Sequence, residues 1–359
     1  MTAPESCAIM RKMTEKNLHH DLRSNLPTAL VELIEAAGNL AEERGQNLYL
    51  VGGAVRDLIL GEPVCDLDLV VEGDGVALAR ALAEITPAEI TTHPHFGTAK
   101  LRRDEHSLDI TSARRETYAR PGALPTVEPG SLKDDLFRRD YTINAMALSL
   151  NPKGHGEVID YYDGQTDLEQ RHLRVLHDNS FIDDATRIWR GLRYEQRLGF
   201  TLEDNTRRLM ARDIPILGTI SGDRIRYELE CIFREAQPEN VISRGCEVGA
   251  LQQINPALNG NGWLEEKYRA LRQQCAPKTP PFDHYLALLA YNLSEEEGRQ
   301  LAAFLKLPKS ADKVIRDTIT VKAKLKKIAA PTVKASYAYQ LLHGVSPTAI
   351  TVATLATSS

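Results

Sequence analysis

Residues 48–74, LYLVGGAVRDLILGEPVCDLDLVVEGD, constrain the fold more than any other stretch of the chain. An apolar run ends on Gly52-Gly53, a segment of helical period follows, and DLDLVVE then alternates polar and apolar residues. The two periods predict strand, turn, helix and a second strand, so a helix must pack on a sheet here. Asp66 and Asp68 stand two apart on the second strand and therefore share one face. Like charges that close cost free energy unless a cation lies between them, and Mg²⁺ takes carboxylate oxygens together with substrate phosphates. Taken alone, the pair also fits two solvated acids at a strand end. The glycine pair adds weight: it lets backbone amides approach an anion closely at a helix N-terminus. Arg56, on the first helical turn, adds charge-assisted donors.

Other segments fill in the first half. PTALVELIEAAGNLAEERG (27–45) reads as an amphipathic helix with Leu30, Leu33, Ile34, Ala37 and Leu40 on one face and Gly45 as its stop. Residues 75–84 read as a helix, and AEITTH, GTAKLRR and HSLDIT as three strands. A third acid, Asp109, sits on the last of these between apolar neighbours, a poor place for an unpartnered carboxylate. It fits a metal-binding trio with Asp66 and Asp68; the alternative is pairing with an arginine such as Arg102 or Arg114. The Pro/Gly-rich stretch 118–133 reads as a mobile loop. RRDYTINAMALSL gives a helix and a strand, and EVIDYYDG a last strand.

From about residue 165 the strand signals stop and helical periods run to residue 342. The expected class is α+β, a mixed-sheet head followed by an all-α neck, body and tail. The expected divisions are a flexible tail at 1–26, a catalytic head at 27–164, a nucleotide-selecting neck at 165–236 and an RNA-binding body and tail at 237–359. The last residues, ATLATSS, are expected to fray.

Charge is informative through its distribution. The net charge of −5 argues against a protein that coats nucleic acid, yet residues 305–334 carry nine Lys or Arg against two Asp. Lys313, Arg316, Lys322, Lys324, Lys326 and Lys327 are the candidates there for a polyanion contact; a solvated helix face is the alternative. A second ladder, Asp184, Arg187, Arg190 and Arg193, repeats at steps of three and predicts one acid and three arginines along one helix face. A carboxylate accepts from a base amino group while an arginine fork donates to ring nitrogen and carbonyl, so such a face can imitate a pairing base. Cysteines 7, 65, 231, 246 and 275 form no CxxC pair and read as reduced thiols of a cytoplasmic protein without a zinc site. No apolar run approaches the ~20 residues needed to cross a bilayer, and the charged N-terminus does not read as a signal peptide. The histidines show no triad or metal-ligand spacing; His93 and His95 read as loop residues.

GGAVRDLILG, DLDLVVEGD, SLDITSARRETY and DDLFRRDYTINAMAL together resemble the head of class II tRNA nucleotidyltransferases and bacterial poly(A) polymerases, a polymerase β-like family. The similarity continues through VIDYYDGQTDLEQRHLRVLHDNSFIDDATRIWRGLRYEQRLGF and covers residues 48–212. It implies that Asp66 and Asp68 hold two Mg²⁺ ions, with Asp109 at the family's third acid. It implies that Gly52, Gly53, Arg56 and Arg139 contact the nucleotide, and that Asp140 and Asn144 handle the ribose. It gives Asp184 and Arg187 the reading of the incoming base and lets Arg190 and Arg193 reach the triphosphate. One departure is Asp183-Asp184-Ala185, where relatives carry Glu-Asp-Pro. The loop at 118–133 falls where the family keeps an element linked to the change from C to A addition.

The activity implied is template-independent addition of CMP and AMP, from CTP and ATP, to the 3′ end of tRNA, by two-metal in-line transfer. The tRNA is expected to dock by its acceptor and TΨC arms, read by shape and backbone. No membrane contact and no obligate protein partner is implied. Within the same class, a CC-only or A-only enzyme or a poly(A) polymerase is the alternative; the absence of a long basic tail argues against the last. A catalytically inactive RNA-binding module is the alternative from another class, and three close acids beside RNA argue against it.

Overall fold

A computed structural model describes residues 18–64, 66–93, 97–328 and 333–357. Contacts divide the chain into two units. One comprises the residues up to Ala119 together with Leu124–His177, and the other Arg120–Ala123 with Asp178 onward.

The first unit is built on a seven-stranded sheet, β1 (Asn47–Val51), β2 (Asp68–Glu72), β3 (Glu89–His93), β4 (Thr98–Arg103), β5 (His106–Ser112), β8 (Met146–Ser149) and β9 (Val158–Asp160). Its order is β3-β4-β5-β2-β1-β8-β9. β2 and β5 run parallel and the other neighbours antiparallel, so the sheet is mixed. The middles of the central strands are apolar because both faces are covered: Leu48, Leu50, Val51, Leu69 and Val71 are fully buried. The helix Thr28–Glu43 turns Leu33, Ile34, Ala37 and Ala41 inward. It lies so close to the chain after β8 that a Cβ on Gly38 would stand 2.2 Å from the Leu150 carbonyl oxygen. A second helix, Gly75–Ile85, is capped by Asp74, whose carboxylate accepts from the Ala77 amide.

Two expectations for this unit change. Within the stretch read as a flexible tail, Leu18–Asn25 form a helix, because Leu18 and Leu22 recur at i,i+4 and find buried sites. Within the stretch read as a loop, β7 (Thr126–Pro129) pairs antiparallel with β6 (Arg114–Thr117), and Arg115 and Glu128 form an ion pair across the ribbon. Glycine and proline at 121–125 sit at the turn end and leave the ribbon intact.

The second unit is helical. Helices span Thr186–Leu198, Asp204–Asp213, Gly222–Phe233, Pro238–Glu247, Gly262–Cys275, Phe282–Ala290, Glu295–Phe304, Lys309–Ile328, Ala335–Leu342 and Pro347–Thr357. Phe233, Tyr268, Phe282 and Tyr285 stack into an aromatic centre. Helix Thr186–Leu198 presses Trp189 onto Gly245, where a Cβ would stand 2.5 Å from the indole. The C-terminal segment, expected to fray, is helical to Thr357 because Ala349, Val352 and Ala353 are buried. Among the described residues no helix is long and apolar enough to cross a membrane. Cys231, Cys246 and Cys275 are free thiols; Cys7, Cys65 and His95 lie outside the described residues.

Candidate active site

The register of the sheet brings the acids together. Parallel pairing sets Asp68 of β2 directly opposite Asp109 of β5, and Asp66 precedes Asp68 by two residues. Solvent reaches Asp68, yet the protein packed around its carboxyl removes enough water to push its pKa up. The neighbouring carboxylates of Asp109 and Asp66 push it further, against the pull of Arg139 and Lys100. The counter-charge of Asp109 is neither Arg102 nor Arg114. It is Lys100, opposite it on β4, with Nζ 3.2 Å from Asp109 Oδ2. Arg102 donates to the Asp104 carbonyl, and Arg114 pairs with Glu116.

Among the described residues no three His, Cys, Asp or Glu side chains form a ready ligand set for a metal ion. The donor chemistry nonetheless suits a hard divalent cation: carboxylates at one level of adjacent strands, one of them held where its ionised form is disfavoured by two others.

Gly52 ends β1 with φ 78° and opens the helix Gly53–Leu60. That conformation favours glycine, and a Cβ there would stand 2.6 Å from Arg139 Nη1. The glycine is thus required for the guanidinium to lie against the turn. Arg139 is held from the other side by Asp135, which is fully buried and accepts from Arg139 Nη2 at 3.1 Å and from Arg138 Nη2 at 2.8 Å. Burial pushes the Asp135 carboxyl up, but the two guanidiniums outweigh it and hold the pKa below the ordinary value. Arg139 Nε is buried with no hydrogen-bond partner among the described residues.

A second network runs beside the turn. Arg56 is buried and donates through Nη1 to Asn144 Oδ1 at 2.6 Å and through Nε to Asp57 at 2.8 Å. Asn144 Nδ2 in turn donates to Asp140 Oδ1 at 2.9 Å. Arg56, Asp140 and Asn144, drawn from two separate stretches of motif, are therefore one connected group. Asp57, Lys100 and Asp135 escaped the reading of the sequence. Only Asp135 carried a signal, since it stands three and four residues before Arg138 and Arg139, which follow directly on the helix Leu132–Phe137.

In the second unit the expected ladder is rearranged. Asp184 is not on the helix with the arginines but just before it, where Oδ1 accepts from the Thr186 amide at 3.0 Å and hydroxyl at 2.7 Å. Arg224 donates to the same oxygen at 2.7 Å. Oδ2 is left without a donor among the described residues. The reason is local: Asp183-Asp184-Ala185-Thr186 breaks the helical run, and an aspartate before a helix start satisfies an orphan amide better than one inside the helix. Arg187 is buried and donates to Ser180 Oγ at 2.7 Å. Arg190 donates to the Tyr194 hydroxyl at 2.8 Å, and both Arg190 and Arg193 lie over the Tyr194 ring. Arg193 also pairs with Glu235 at 3.4 Å.

The basic C-terminal helix is largely engaged within the chain. Lys313 pairs with Asp317 and donates to the Gly344 carbonyl, and Arg316 pairs with Asp312. Lys322 donates to Asn292 and lies over Tyr291, and Lys324 donates to the Leu341 carbonyl. Lys327 is exposed; the side chain of Lys326 lies outside the described residues. His93 is exposed at the end of β3.

The first unit is thus a mixed-sheet head with acids in register across two parallel strands, beside a glycine turn that seats an arginine. Comparison with known proteins narrows the class. Residues 48–174 match the poly A polymerase head domain, and residues 199–260 match the probable RNA and SrmB-binding site of polymerase A. Among similar proteins, the A-adding tRNA nucleotidyltransferase of Geobacter sulfurreducens is 41% identical over 67% of this chain and 28% of its own length. The CCA-adding enzyme of Lactiplantibacillus plantarum is 31% identical over 82% of this chain and 69% of its own. The Thermotoga maritima CCA-adding enzyme, solved in complex with tRNA, superposes with a TM-score of 0.78 at 31% identity, covering 96% of this chain and 82% of that one. The chain belongs to the family of CCA-adding and A-adding tRNA nucleotidyltransferases with a poly(A)-polymerase-type head. It spans 28% to 55% of the length of the first three curated relatives it matches.

Proposed function

We propose that this chain adds CMP and AMP, from CTP and ATP, to the 3′ end of tRNA without a nucleic-acid template. The observation that carries the reading is the register of Asp68 with Asp109, two residues from Asp66 and next to Arg139 at the glycine turn. Asp66 and Asp68, with Asp109, are the residues that would hold Mg²⁺. When bound, the metal supplies Lewis acidity toward the primer hydroxyl and neutralises triphosphate charge.

The remaining work falls to the chain's own groups. The Gly52-Gly53 turn and Arg139 orient phosphate oxygens, with Asp135 fixing the guanidinium. Arg56, Asn144 and Asp140 form one hydrogen-bonded unit, suited to orienting a sugar hydroxyl. Asp184 and Arg187 select the base by side-chain donors and acceptors, and Arg190 and Arg193 add positive charge for the triphosphate. Catalysis rests on positioning and charge stabilisation, with no covalent nucleophile. The tRNA is bound through its backbone and shape by the helical unit, where basic residues of Lys309–Ile328 supply phosphate contacts.

A narrower reading, addition of the terminal A alone, is favoured by the A-adding name of the Geobacter relative at 41% identity. The test supplies tRNA ending at the discriminator base, at C or at CC, with CTP, ATP or both. Full addition extends all three substrates to CCA. An A-only enzyme extends only the CC-ended tRNA, by one residue, and ignores CTP. Failure to extend any of them would refute both readings.

Arg224 offers a sharper check on base selection. It is one of three donors on Asp184 Oδ1, beside the Thr186 amide and hydroxyl, so Arg224→Ala should loosen the hold on the carboxylate. Incorporation of UTP and GTP relative to CTP and ATP is expected to rise by about tenfold, the scale of a charged hydrogen bond. Competition assays with mixed triphosphates measure it.

A further inference from the structure

Three charges lie at one level of three adjacent strands. Antiparallel register sets Lys100 of β4 opposite Asp109 of β5, and parallel register sets Asp109 opposite Asp68 of β2. Residues in register project to the same face. Lys100 Nζ stands 3.2 Å from Asp109 Oδ2, and both side chains are part-exposed. Lys100 also acts as a favourable charge on Asp68. Asp66, Asp68 and Asp109 do not close into a three-ligand set among the described residues; Asp109 has Lys100 as its partner instead.

We infer that Lys100 is the resident counter-charge of this acidic row, a positioning residue that draws Asp109 toward β4 and competes with a divalent cation for it. The inference rests on the proposed nucleotidyl transfer and concerns how the acids are kept ready between ions. Without a cation, two or three carboxylates at one level repel one another, and a lysine on the neighbouring strand relieves this. The chemistry of the side chain matters. Lysine offers a single point charge on a flexible stem and can swing away, whereas arginine would fork onto both carboxylate oxygens and hold them. The pair is open to solvent, so its grip is weak enough for a doubly charged ion to displace it.

The test is Mn²⁺ binding, followed by the electron paramagnetic resonance signal of the free ion, with neither nucleotide nor tRNA present. Lys100→Met should bind Mn²⁺ about three- to tenfold more tightly than the parent, the range allowed by removing one nearby positive charge at high effective dielectric. Lys100→Gln should do the same, and circular dichroism confirms that each variant is folded. Lys100→Arg keeps the charge and should bind no more tightly than the parent. Without the ion, Lys100→Met should melt below the parent, and the difference should shrink at saturating Mn²⁺. Equal or weaker Mn²⁺ affinity in both neutral variants would overturn the inference and leave the transferase reading untouched. Mn²⁺ bound as tightly by Asp68→Ala as by the parent would instead overturn the metal-binding assignment on which the inference stands.

Discussion

Replacing Asp66 and Asp68 together by alanine is expected to abolish incorporation of label from CTP or ATP into tRNA, a loss of at least about a thousandfold. The size follows from the several kcal/mol of charge stabilisation that a carboxylate-held ion supplies at the transition state. The same double variant should remain folded and be at least as stable as the parent. Both side chains are solvent-exposed, and substitutions at such positions usually shift stability by no more than about 0.5 kcal/mol. Asp68 goes further, since its carboxyl is held where burial and two neighbouring carboxylates disfavour ionisation. Incorporation of radiolabel and a thermal melt on the same preparation measure the two effects together. Retained turnover would refute the assignment of the site.

The order of elements was legible because the two periods separate cleanly. NLYLV and DLVVE cannot satisfy a helix, and the run TRIWRGLRYEQRL cannot satisfy a strand. The helical character of the second half was legible for the same reason. What stayed hidden was set by tertiary partners. Leu18 and Leu22 are two apolar residues in a charged stretch, and only a neighbouring surface makes them a buried stripe. Thr126–Pro129 becomes a strand because Arg114–Thr117 offers it an edge, which no local signal announces. Ala349, Val352 and Ala353 are too small and mild to mark a packed helix, yet they fill one.

In the candidate site, the sequence offered the residues but not their partners. The spacing of Asp66 and Asp68 predicted a shared face on one strand, but β2 begins at Asp68 and Asp66 lies just before it; what the structure gives is the push of Asp66 on the Asp68 carboxyl. That Asp109 would meet Asp68 in register depends on a parallel crossover between β2 and β5, which alternation does not encode. The same holds for Lys100: the spacing along the chain does not reveal which strand lies on the far side of Asp109. The reading of Asp184 as one rung of a helical ladder failed for a different reason. Steps of three are a property of an unbroken helix, and an aspartate followed by alanine and threonine is equally a helix start. There the carboxylate is spent on capping with one oxygen and keeps the other, which a mid-helix position would not have produced.

Asp135→Ala is expected to destabilise the first unit by about 3–5 kcal/mol, the usual consequence of removing one partner of a buried ion pair and stranding the other. Asp135 is fully buried and engages both Arg138 and Arg139. Arg138 retains Glu116 at 3.3 Å, so the loss falls most heavily on Arg139, whose Nε has no other partner among the described residues. The chain's two tryptophans, Trp189 and Trp263, both lie in the second unit. Urea unfolding followed by far-ultraviolet circular dichroism should therefore show an early transition in the variant, while tryptophan emission excited at a wavelength that spares tyrosine should keep the parent's midpoint. Coincident shifts in both signals would refute a local role. The pH dependence has a definite sign. The Asp135 carboxyl is held below its ordinary value of 3.8, so its contribution is complete above that pH and is lost as pH falls through the depressed folded value. The stability gap between parent and Asp135→Ala should accordingly be constant from neutrality down to about pH 5 and close only in stronger acid. Asp135→Asn keeps the shape without the charge and should fall between the two. Because Arg139 lies against Gly52 and is the foremost favourable charge on Asp68, the folded Asn variant should also show a raised KM for nucleotide with a smaller change in kcat. That combination separates a carboxylate that aims an arginine from one that merely fills space.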